Sequence, residues 1–261
     1  MPEYSSPHTP GLFCWPELAT TDQKGASAFY GSLFGWNVDD QPIGPGETYT
    51  MFRMRGKAVG AAYAMRAEER THGIPPYWGS YIAVANADES AKKAEGLGGK
   101  VLKPPFDVMD VGRMAYVQDP TGAGFHIWQA KKHIGAEIMN EPGTLCWTEL
   151  ATRDTKAAER FYSQLFGWSG KTGMADSTMP YTEFSLNGTA FAGMMPIQPE
   201  WGSMPPYWMP YFATADCDAT AAKTMQLGGS ARMPPTDIPN VGRFAVLADP
   251  QGATFAIVKI K

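Results

Sequence analysis

The pattern of apolar and polar positions repeats along the chain. Each half opens with an apolar run of alternating bulky residues, 11–18 and 144–150, and this alternation predicts a strand. An aspartate with N-cap chemistry, Asp22 or Asp154, follows, and then apolar residues at helical spacing that end at a glycine. Strand-like segments complete the order strand, helix, strand, strand, strand. This order begins again after a Pro-Pro break, so we predict four βαβββ units in an α+β chain.

The two halves also match residue by residue. WPELAT at 15–20 returns as WTELAT at 147–152, PPYW at 75–78 returns at 205–208, and VGR at 111–113 returns at 241–243. Such regular self-similarity indicates a duplicated domain. We expect domain boundaries at 1–136 and 137–261, with the mixed segment 131–143 as the connection.

Composition excludes several classes of function. The net charge of −4 includes no basic run that would follow a phosphate backbone, so nucleic acid is not an expected partner. No stretch reaches the roughly twenty apolar residues of a spanning helix, and the polar start lacks a secretion signal, so we expect a cytoplasmic protein without a membrane partner. Three cysteines without C-x-x-C spacing support neither a disulfide framework nor a zinc knuckle.

The four units, the Phe-Tyr and Leu-Phe-Gly-Trp helix motifs and the late Asp-Pro-x-Gly turns give the chain a family resemblance. It resembles a tandem member of the glyoxalase, bleomycin-resistance and extradiol-dioxygenase group, also called the vicinal oxygen chelate superfamily. It is most similar to actinobacterial proteins labelled glyoxalase-like or hydroxylase. The resemblance implies two domains with open, curled sheets around cupped cavities. Many members bind a divalent metal there, but others bind drugs without one, so the fold alone does not assign a function.

The resemblance also implies where a metal would bind. Coordination of a first-row metal needs about three protein ligands. Of the residues in these places, only His126 has a suitable donor, because indole nitrogen has no free lone pair. We therefore predict no cofactor and assign no metal ligands, although a divalent metal remains the disfavoured alternative. The implied positions are Trp15, Ala61 or Ala62, Gly79 and His126 in the first half, and Trp147, Gly193 or Met194, Met209 and Ala256 in the second.

The predicted cavities are lined by aromatic and acidic residues. Trp15 and Glu17 share one strand face, as do Trp147 and Glu149. Each glutamate is interpreted as a hydrogen-bond acceptor for a ligand, as a general base with a raised pKa, or as one partner of a salt bridge. Candidate partners for the salt bridge are Arg113 and Arg243.

His126 shares a strand face with Trp128 and is interpreted either as a half-buried structural histidine or as a cavity acid or base. Ala256 replaces it in the second half, which argues against a role needed in both cavities. Catalytic residues are therefore not assigned, and Glu17, Glu149 and His126 are the weak candidates.

Further aromatic residues follow the Pro-Pro breaks. They are interpreted either as flat walls for a planar ligand or as packing at the junction between units. Methionines in the second half predict that its cavity is the more apolar one. The aromatic residues are Trp78, Tyr81, Trp208 and Tyr211.

Three functions are consistent with these patterns. The leading hypothesis is a metal-free protein that holds a small hydrophobic or aromatic metabolite or drug in Trp-lined cavities. The alternative is a glyoxalase-type isomerase or lyase acting on 2-oxoaldehydes, or an accessory protein to an oxygenase or hydroxylase. The third is a protein that acts through its surface. Since the chain already contains four units, we expect a monomer, with a homodimer as the alternative.

Overall fold

The computed structural model of the chain describes residues 3–174 and 179–261. The first half forms an eight-stranded sheet in the order β2-β3-β4-β1-β5-β8-β7-β6. Its two end strands are not paired with each other, so the sheet is open. The strands are β1 (Phe13–Thr20), β2 (Asn37–Gly44), β3 (Glu47–Met54), β4 (Lys57–Ala64), β5 (Tyr77–Ala83), β6 (Lys100–Val108), β7 (Gly112–Gln118) and β8 (Gly124–Ala130).

The second half repeats this sheet in the order β10-β11-β12-β9-β13-β16-β15-β14. In both sheets the opening strand is parallel to the last strand of its own unit and antiparallel to the first strand of the next unit. The strands are β9 (Leu145–Thr152), β10 (Ser169–Met174), β11 (Pro180–Leu186), β12 (Thr189–Pro196), β13 (Tyr207–Ala213), β14 (Ser230–Ile238), β15 (Gly242–Ala248) and β16 (Thr254–Ile260). The α+β architecture with open sheets is confirmed.

The helices begin and end where the capping residues predict. The Asp22 side chain accepts from the Gly25 amide at the start of α1, and Gly35 takes the left-handed conformation, with φ 74°, at its end. Asp154 and Gly167 act in the same way on α4. A short helix, α2, and a 3-10 helix at Pro199–Trp201 were not predicted. The α-helices are α1 (Gln23–Phe34), α2 (Ala67–Thr71), α3 (Ala87–Gly96), α4 (Thr155–Phe166) and α5 (Cys217–Gln226).

The hydrophobic cores combine residues from both halves. Phe29 and Tyr30 of α1 share a buried cluster with Leu18 of the first sheet and with Phe212 and Phe255 of the second. A matching cluster contains α4 together with residues of the first sheet. The helical side of each sheet is thus buried against the other half, and the opposite face of each sheet carries the candidate site.

The connection between the halves packs along the first sheet. The Ala136 amide donates to the Cys14 carbonyl, and the Glu137 amide donates to the Ala58 carbonyl. The boundary between residues 136 and 137 stays a prediction. None of the helices within residues 3–174 and 179–261 has the length and apolar character needed to cross a membrane.

Candidate functional site

The opening strand of each sheet carries a tryptophan and a glutamate on one face. In the first half, Tyr81 of β5 lies opposite Trp15, and Gly79 lies opposite Glu17. Ala61 of β4 is the neighbour of Glu17 on the other side. Because directly paired residues of adjacent strands share a face, these side chains converge.

We call this face of the first sheet the first cup. The equivalent face of the second sheet, which carries Trp147, Glu149 and Tyr211, is the second cup. Glu149 lies between Gly193 of β12 and Met209 of β13, so the two cups have the same register.

In the first cup, the Glu17 carboxylate is held by two tyrosine hydroxyls. Tyr49 donates to Glu17 Oε1 and Tyr81 donates to Glu17 Oε2, both at 2.6 Å. The Trp15 indole Nε1 donates to the Tyr49 oxygen at 3.2 Å. Trp15 therefore orients a tyrosine, which in turn fixes one oxygen of the carboxylate.

The second cup repeats the arrangement. Tyr211 donates to Glu149 Oε1 at 2.7 Å and Tyr181 donates to Oε2 at 2.9 Å. The Trp147 Nε1 donates to the Tyr181 oxygen at 3.0 Å. Sequence reasoning missed Tyr49 and Tyr181, yet each follows its tryptophan by the same 34 residues, so the repeat itself contained the signal.

Burial sets the protonation states in both cups. Desolvation raises the pKa of Glu17 and of Glu149, and the tyrosine hydrogen bonds oppose this shift in each case. Desolvation also raises the pKa of Tyr49 and Tyr211 well above the usual range, and the neighbouring carboxylate adds to the shift. The tyrosines therefore keep their protons and act as donors to the carboxylates.

The cups differ in nearby charge. In the first cup, Arg66 lowers the pKa of Glu17 while Glu69 raises it. Among the described residues, desolvation raises the pKa of Glu149, the hydrogen bonds from Tyr211 and Tyr181 lower it, and no charged side chain contributes. Glu149 thus lies in the less polar surroundings.

His126 is stacked between two tyrosines of the first cup. Its ring centroid lies 4.3 Å from that of Tyr81 and 4.6 Å from that of Tyr116, with small interplanar angles. Desolvation, helped by the Lys103 charge, lowers the pKa of His126 to about 3, so the ring is neutral near pH 7. Its Nδ1 is buried without a hydrogen-bond partner. The stacking favours a structural interpretation of His126.

Helix α2 is hydrogen-bonded to two tyrosines of the first cup. Glu69 Oε1 accepts from Tyr63 at 2.9 Å and from Tyr77 at 3.3 Å. Its Oε2 accepts from the Arg66 amide at the start of the helix. Both tyrosines share the face of Glu17, so Glu69 fastens this helix to the cup.

The structure corrects the placement of Trp78 and Trp208. Trp78 pairs with Leu18, one residue out of phase with Glu17, so it points to the helical side of the sheet. There its Nε1 donates to the Tyr30 hydroxyl at 2.9 Å. Trp208 donates in the same way to Tyr162 at 2.7 Å. Neither tryptophan reaches a cup, and both pack the core, which was the alternative interpretation.

Arg113 and Arg243 also lie away from the cups. Arg113 pairs with Asp88 at 2.7 Å and with Asp107 at 3.5 Å. Arg243 pairs with Asp218 and Asp237. The proposed salt bridges to Glu17 and Glu149 are therefore wrong, because tyrosines take that role. The arginines instead tie β7 and β15 to the adjoining helices.

Trp128 belongs to the first cup. It is the parallel neighbour of Ala83, and its Nε1 donates to the His133 carbonyl at 2.9 Å. It shares a buried cluster with Trp15 and Tyr81. Val258 takes its position in the second cup.

The donor set of the cups does not fit a metal ion. Around Glu17, the neighbouring positions are Ala61 and Gly79, neither of which has a donor side chain, and only His126 adds one. No group of three or more His, Cys, Asp or Glu side chains suited to a metal occurs in the described part of the chain. Two donors fall short of the usual three.

Comparison with known proteins places the chain among relatives of similar length. The profile of the Glyoxalase/Bleomycin resistance protein/Dioxygenase superfamily matches residues 13–127 and 131–257. A Mycobacterium tuberculosis protein named "Putative glyoxylase CFP32" is 44% identical over 246 residues, which cover 94% of this chain and 93% of the relative. The anthracycline biosynthesis protein DnrV of Streptomyces peucetius is 36% identical over 266 residues, covering 97% and 94%.

Solved structures share the fold at low sequence identity. The Mn(II)-bound glyoxalase from Novosphingobium aromaticivorans superposes with a TM-score of 0.67 at 13% identity, covering 96% of this chain and 82% of the other. The 2,3-dioxygenase LapB from Pseudomonas sp. KL28 gives 0.64 at 10% identity, covering 95% and 91%. These matches support the architecture alone.

Proposed function

Because the chain belongs to the Glyoxalase/Bleomycin resistance protein/Dioxygenase superfamily, we propose that it is a small-molecule-binding protein. It holds a hydrophobic or aromatic metabolite or drug in its aromatic cups, and binding needs no metal ion.

One observation carries this proposal. In both cups a carboxylate is fixed by two tyrosine hydroxyls, directly beside the positions where the family resemblance implies metal ligands. A wall of aromatic rings around a few fixed polar groups is typical of small-molecule sites. Such a site supplies apolar contact area from the rings and orientation from the carboxylate.

The relatives suggest the class of ligand. DnrV and its counterpart DauV from Streptomyces sp. strain C5 are both named anthracycline biosynthesis proteins. Anthracyclines contain planar fused aromatic rings with hydroxyl groups, which match the rings and carboxylates of the cups. We infer that this chain takes ligands of the same general chemistry.

An enzymatic function is the second candidate. Desolvation raises the pKa of Glu17 and Glu149, and a raised pKa suits a carboxylate to remove a proton near neutral pH. A glyoxalase-type isomerase or lyase would use this on a 2-oxoaldehyde adduct, and an accessory protein would present its ligand to an oxygenase.

Tryptophan fluorescence distinguishes these functions. Chelator-treated protein is titrated with 2-naphthol, and turnover of the methylglyoxal–glutathione hemithioacetal is measured on the same sample. Saturable quenching without turnover supports the binding function. Turnover that appears only on addition of a divalent metal, with no quenching before it, would overturn the proposal.

A further inference from the structure

The two cups have the same carboxylate arrangement but different walls. The first cup contains His126 and the hydroxyls of Tyr63 and Tyr116, whereas Ala256, Met195 and Val246 occupy these positions in the second. The second cup is therefore more apolar than the first along β12, β13, β15 and β16, while the exposed Glu183, which pairs with Gly193 next to Glu149, adds a charge at its β11 side. Further differences replace Gly79 by Met209, Met114 by Phe244, Trp128 by Val258 and Met51 by Glu183.

We propose that the second cup is the ligand site, and that it selects neutral planar aromatic molecules whose hydroxyl group donates a hydrogen bond to Glu149. This inference rests on the proposed function and specifies its site and its ligand class.

The hydrogen bonds already present decide which polar group a ligand must offer. Tyr211 and Tyr181 each give their only hydroxyl proton to Glu149, and Tyr181 also accepts from Trp147. What remains unused is acceptor capacity, on the two carboxylate oxygens and on the Tyr211 oxygen. A ligand must therefore supply a donor, and a hydroxyl group meets this need.

The charges decide against an anionic ligand. Glu149 is 6% exposed, and no cationic side chain of the described residues contributes to its pKa. A ligand carboxylate beside it would meet a like charge in apolar surroundings without a counter-ion, which is costly. A neutral ligand avoids this cost.

The rim of the second cup offers flat apolar contacts. Trp147, Tyr181, Tyr207 and Phe244 are half-buried, and the half-buried Met195 belongs to the same face. Aromatic rings and methionine adapt to planar hydrophobic molecules. This wall surrounds the single buried carboxylate.

Side chains occupy part of the first cup, and its Glu17 is only half-buried, whereas Glu149 is buried. His126 fills the space over Gly79 between two tyrosine rings. Glu69 fastens α2 to Tyr63 and Tyr77. In the second half, the Tyr207 hydroxyl contacts Met209 Sδ at 3.9 Å instead. A ligand in the first cup would have to displace these hydrogen-bonded and stacked contacts, whereas in the second cup it would meet the flexible Met209 side chain.

Isothermal titration calorimetry at pH 7 tests the inference with three probes: 2-naphthol, 2-methoxynaphthalene, which lacks the donor, and 2-naphthoate, which is anionic. We expect 2-naphthol to bind with one site per chain. Loss of one hydrogen bond to a charged group should weaken the methoxy compound about tenfold or more. 2-Naphthoate should bind most weakly.

Matched variants show which of the two cups binds 2-naphthol. Glu149→Gln should weaken 2-naphthol binding about tenfold, because it removes the charge and one acceptor atom. Glu17→Gln, in the first cup, should weaken binding less than Glu149→Gln does, and the control Arg243→Ala, at a residue outside both cups, should leave the affinity within about twofold. The opposite pattern, or equal affinities of the naphthol and methoxy probes, would overturn the inference while the proposed function stands. Absence of binding by all three probes would overturn the proposed function itself.

A second pair of variants covers the case in which Glu149→Gln fails to fold. Val246→Arg places a cation at the half-buried wall of the second cup, and Tyr116→Arg does so in the first. Val246→Arg should raise the affinity for 2-naphthoate at least tenfold, and Tyr116→Arg should not. A gain only with Tyr116→Arg would contradict the assignment.

Discussion

His126 packs over Gly79 so closely that a Cβ atom on Gly79 would lie 3.1 Å from the His126 Cε1. In the second half the sizes are exchanged, with Met209 in the place of Gly79 and Ala256 in the place of His126. In each sheet, therefore, one side chain fills the equivalent space: His126 of β8 in the first sheet and Met209 of β13 in the second. This exchange explains why His126 is present in only one half without requiring a catalytic role.

The first prediction concerns this exchange. His126→Ala should lower the free energy of unfolding by about 2–4 kcal/mol, because it leaves a cavity. Gly79→Met should cost about 1–3 kcal/mol by overpacking against His126. The double variant copies the second half. Its loss of unfolding free energy should be smaller than the sum of the two single losses by at least ~1 kcal/mol. Denaturant unfolding measures all three, and strictly additive costs would contradict the exchange.

The second prediction concerns pH. Burial lowers the pKa of His126 to about 3, whereas the unfolded chain takes up the proton near 6.5. The stabilisation from the neutral ring is therefore complete above pH 6.5 and is lost as the pH falls towards 3, at up to about 1.4 kcal/mol per pH unit.

The double variant His126→Ala/Gly79→Met is the control for this effect. His8 and His133 also have lowered pKa values and titrate in both proteins, so the difference between the two unfolding curves isolates His126. Between pH 6.5 and 4.5, the free energy of unfolding of the double variant should fall less steeply than that of the natural chain. Parallel curves would show that His126 titrates normally.

The third prediction concerns the contact between the halves. Tyr30 donates to Asp249 Oδ2 at 3.0 Å and Tyr162 donates to Asp119 Oδ2 at 2.9 Å, each from one half to the other. Tyr30→Phe should cost about 1–3 kcal/mol, because the buried Trp78 Nε1 and the Asp249 carboxylate both lose a partner.

Tyr162→Phe should cost a similar amount for the same reason. Tyr207→Phe is the matched control, since within residues 3–174 and 179–261 the Tyr207 hydroxyl makes a single, long contact, with Met209 Sδ. Thermal unfolding compares the three. Equal melting temperatures for Tyr30→Phe and Tyr207→Phe would contradict a stabilising role for the link between the halves.

The fourth prediction concerns the surface arginines. Arg113 and Arg243 pair with aspartates at the surface and do not contact the glutamates of the cups. Arg113→Ala and Arg243→Ala should leave 2-naphthol affinity unchanged and should change stability little, because exposed ion pairs are weakly stabilising. A marked loss of affinity in either variant would mean that the arginines reach the ligand after all.

The repeat made much of the fold predictable from sequence. The opening strands β1 and β9 are runs of bulky residues that are buried along most of their length, and the caps Asp22 and Asp154 mark the helices. The edge strands β2 and β10 are exposed along most of their length, so they lack an alternating pattern. β6 and β14 each contain two consecutive prolines, which are uncommon inside a strand, so these strands were not located from the sequence.

The candidate site was predicted only in part. Alternation placed Trp15 and Glu17 on one face, because that relation is local to a strand. The partners of Glu17 come from β3 and β5, so their identity depends on strand register, which the sequence does not contain. Because the register was unknown, Arg113 was predicted as a partner of Glu17 and Trp78 as a wall of the cup. A register shift of one residue moves a side chain to the other face of the sheet.

Metal-independent ligand binding is the central claim, and one calorimetric experiment tests it most directly. 2-Naphthol is titrated into protein that has been dialysed against a chelator, with metal content measured by plasma mass spectrometry, and again after reloading with zinc, manganese or iron. We predict the same affinity before and after reloading and less than stoichiometric metal throughout. Stoichiometric metal retained in the purified protein, with binding lost on its removal, would contradict the account.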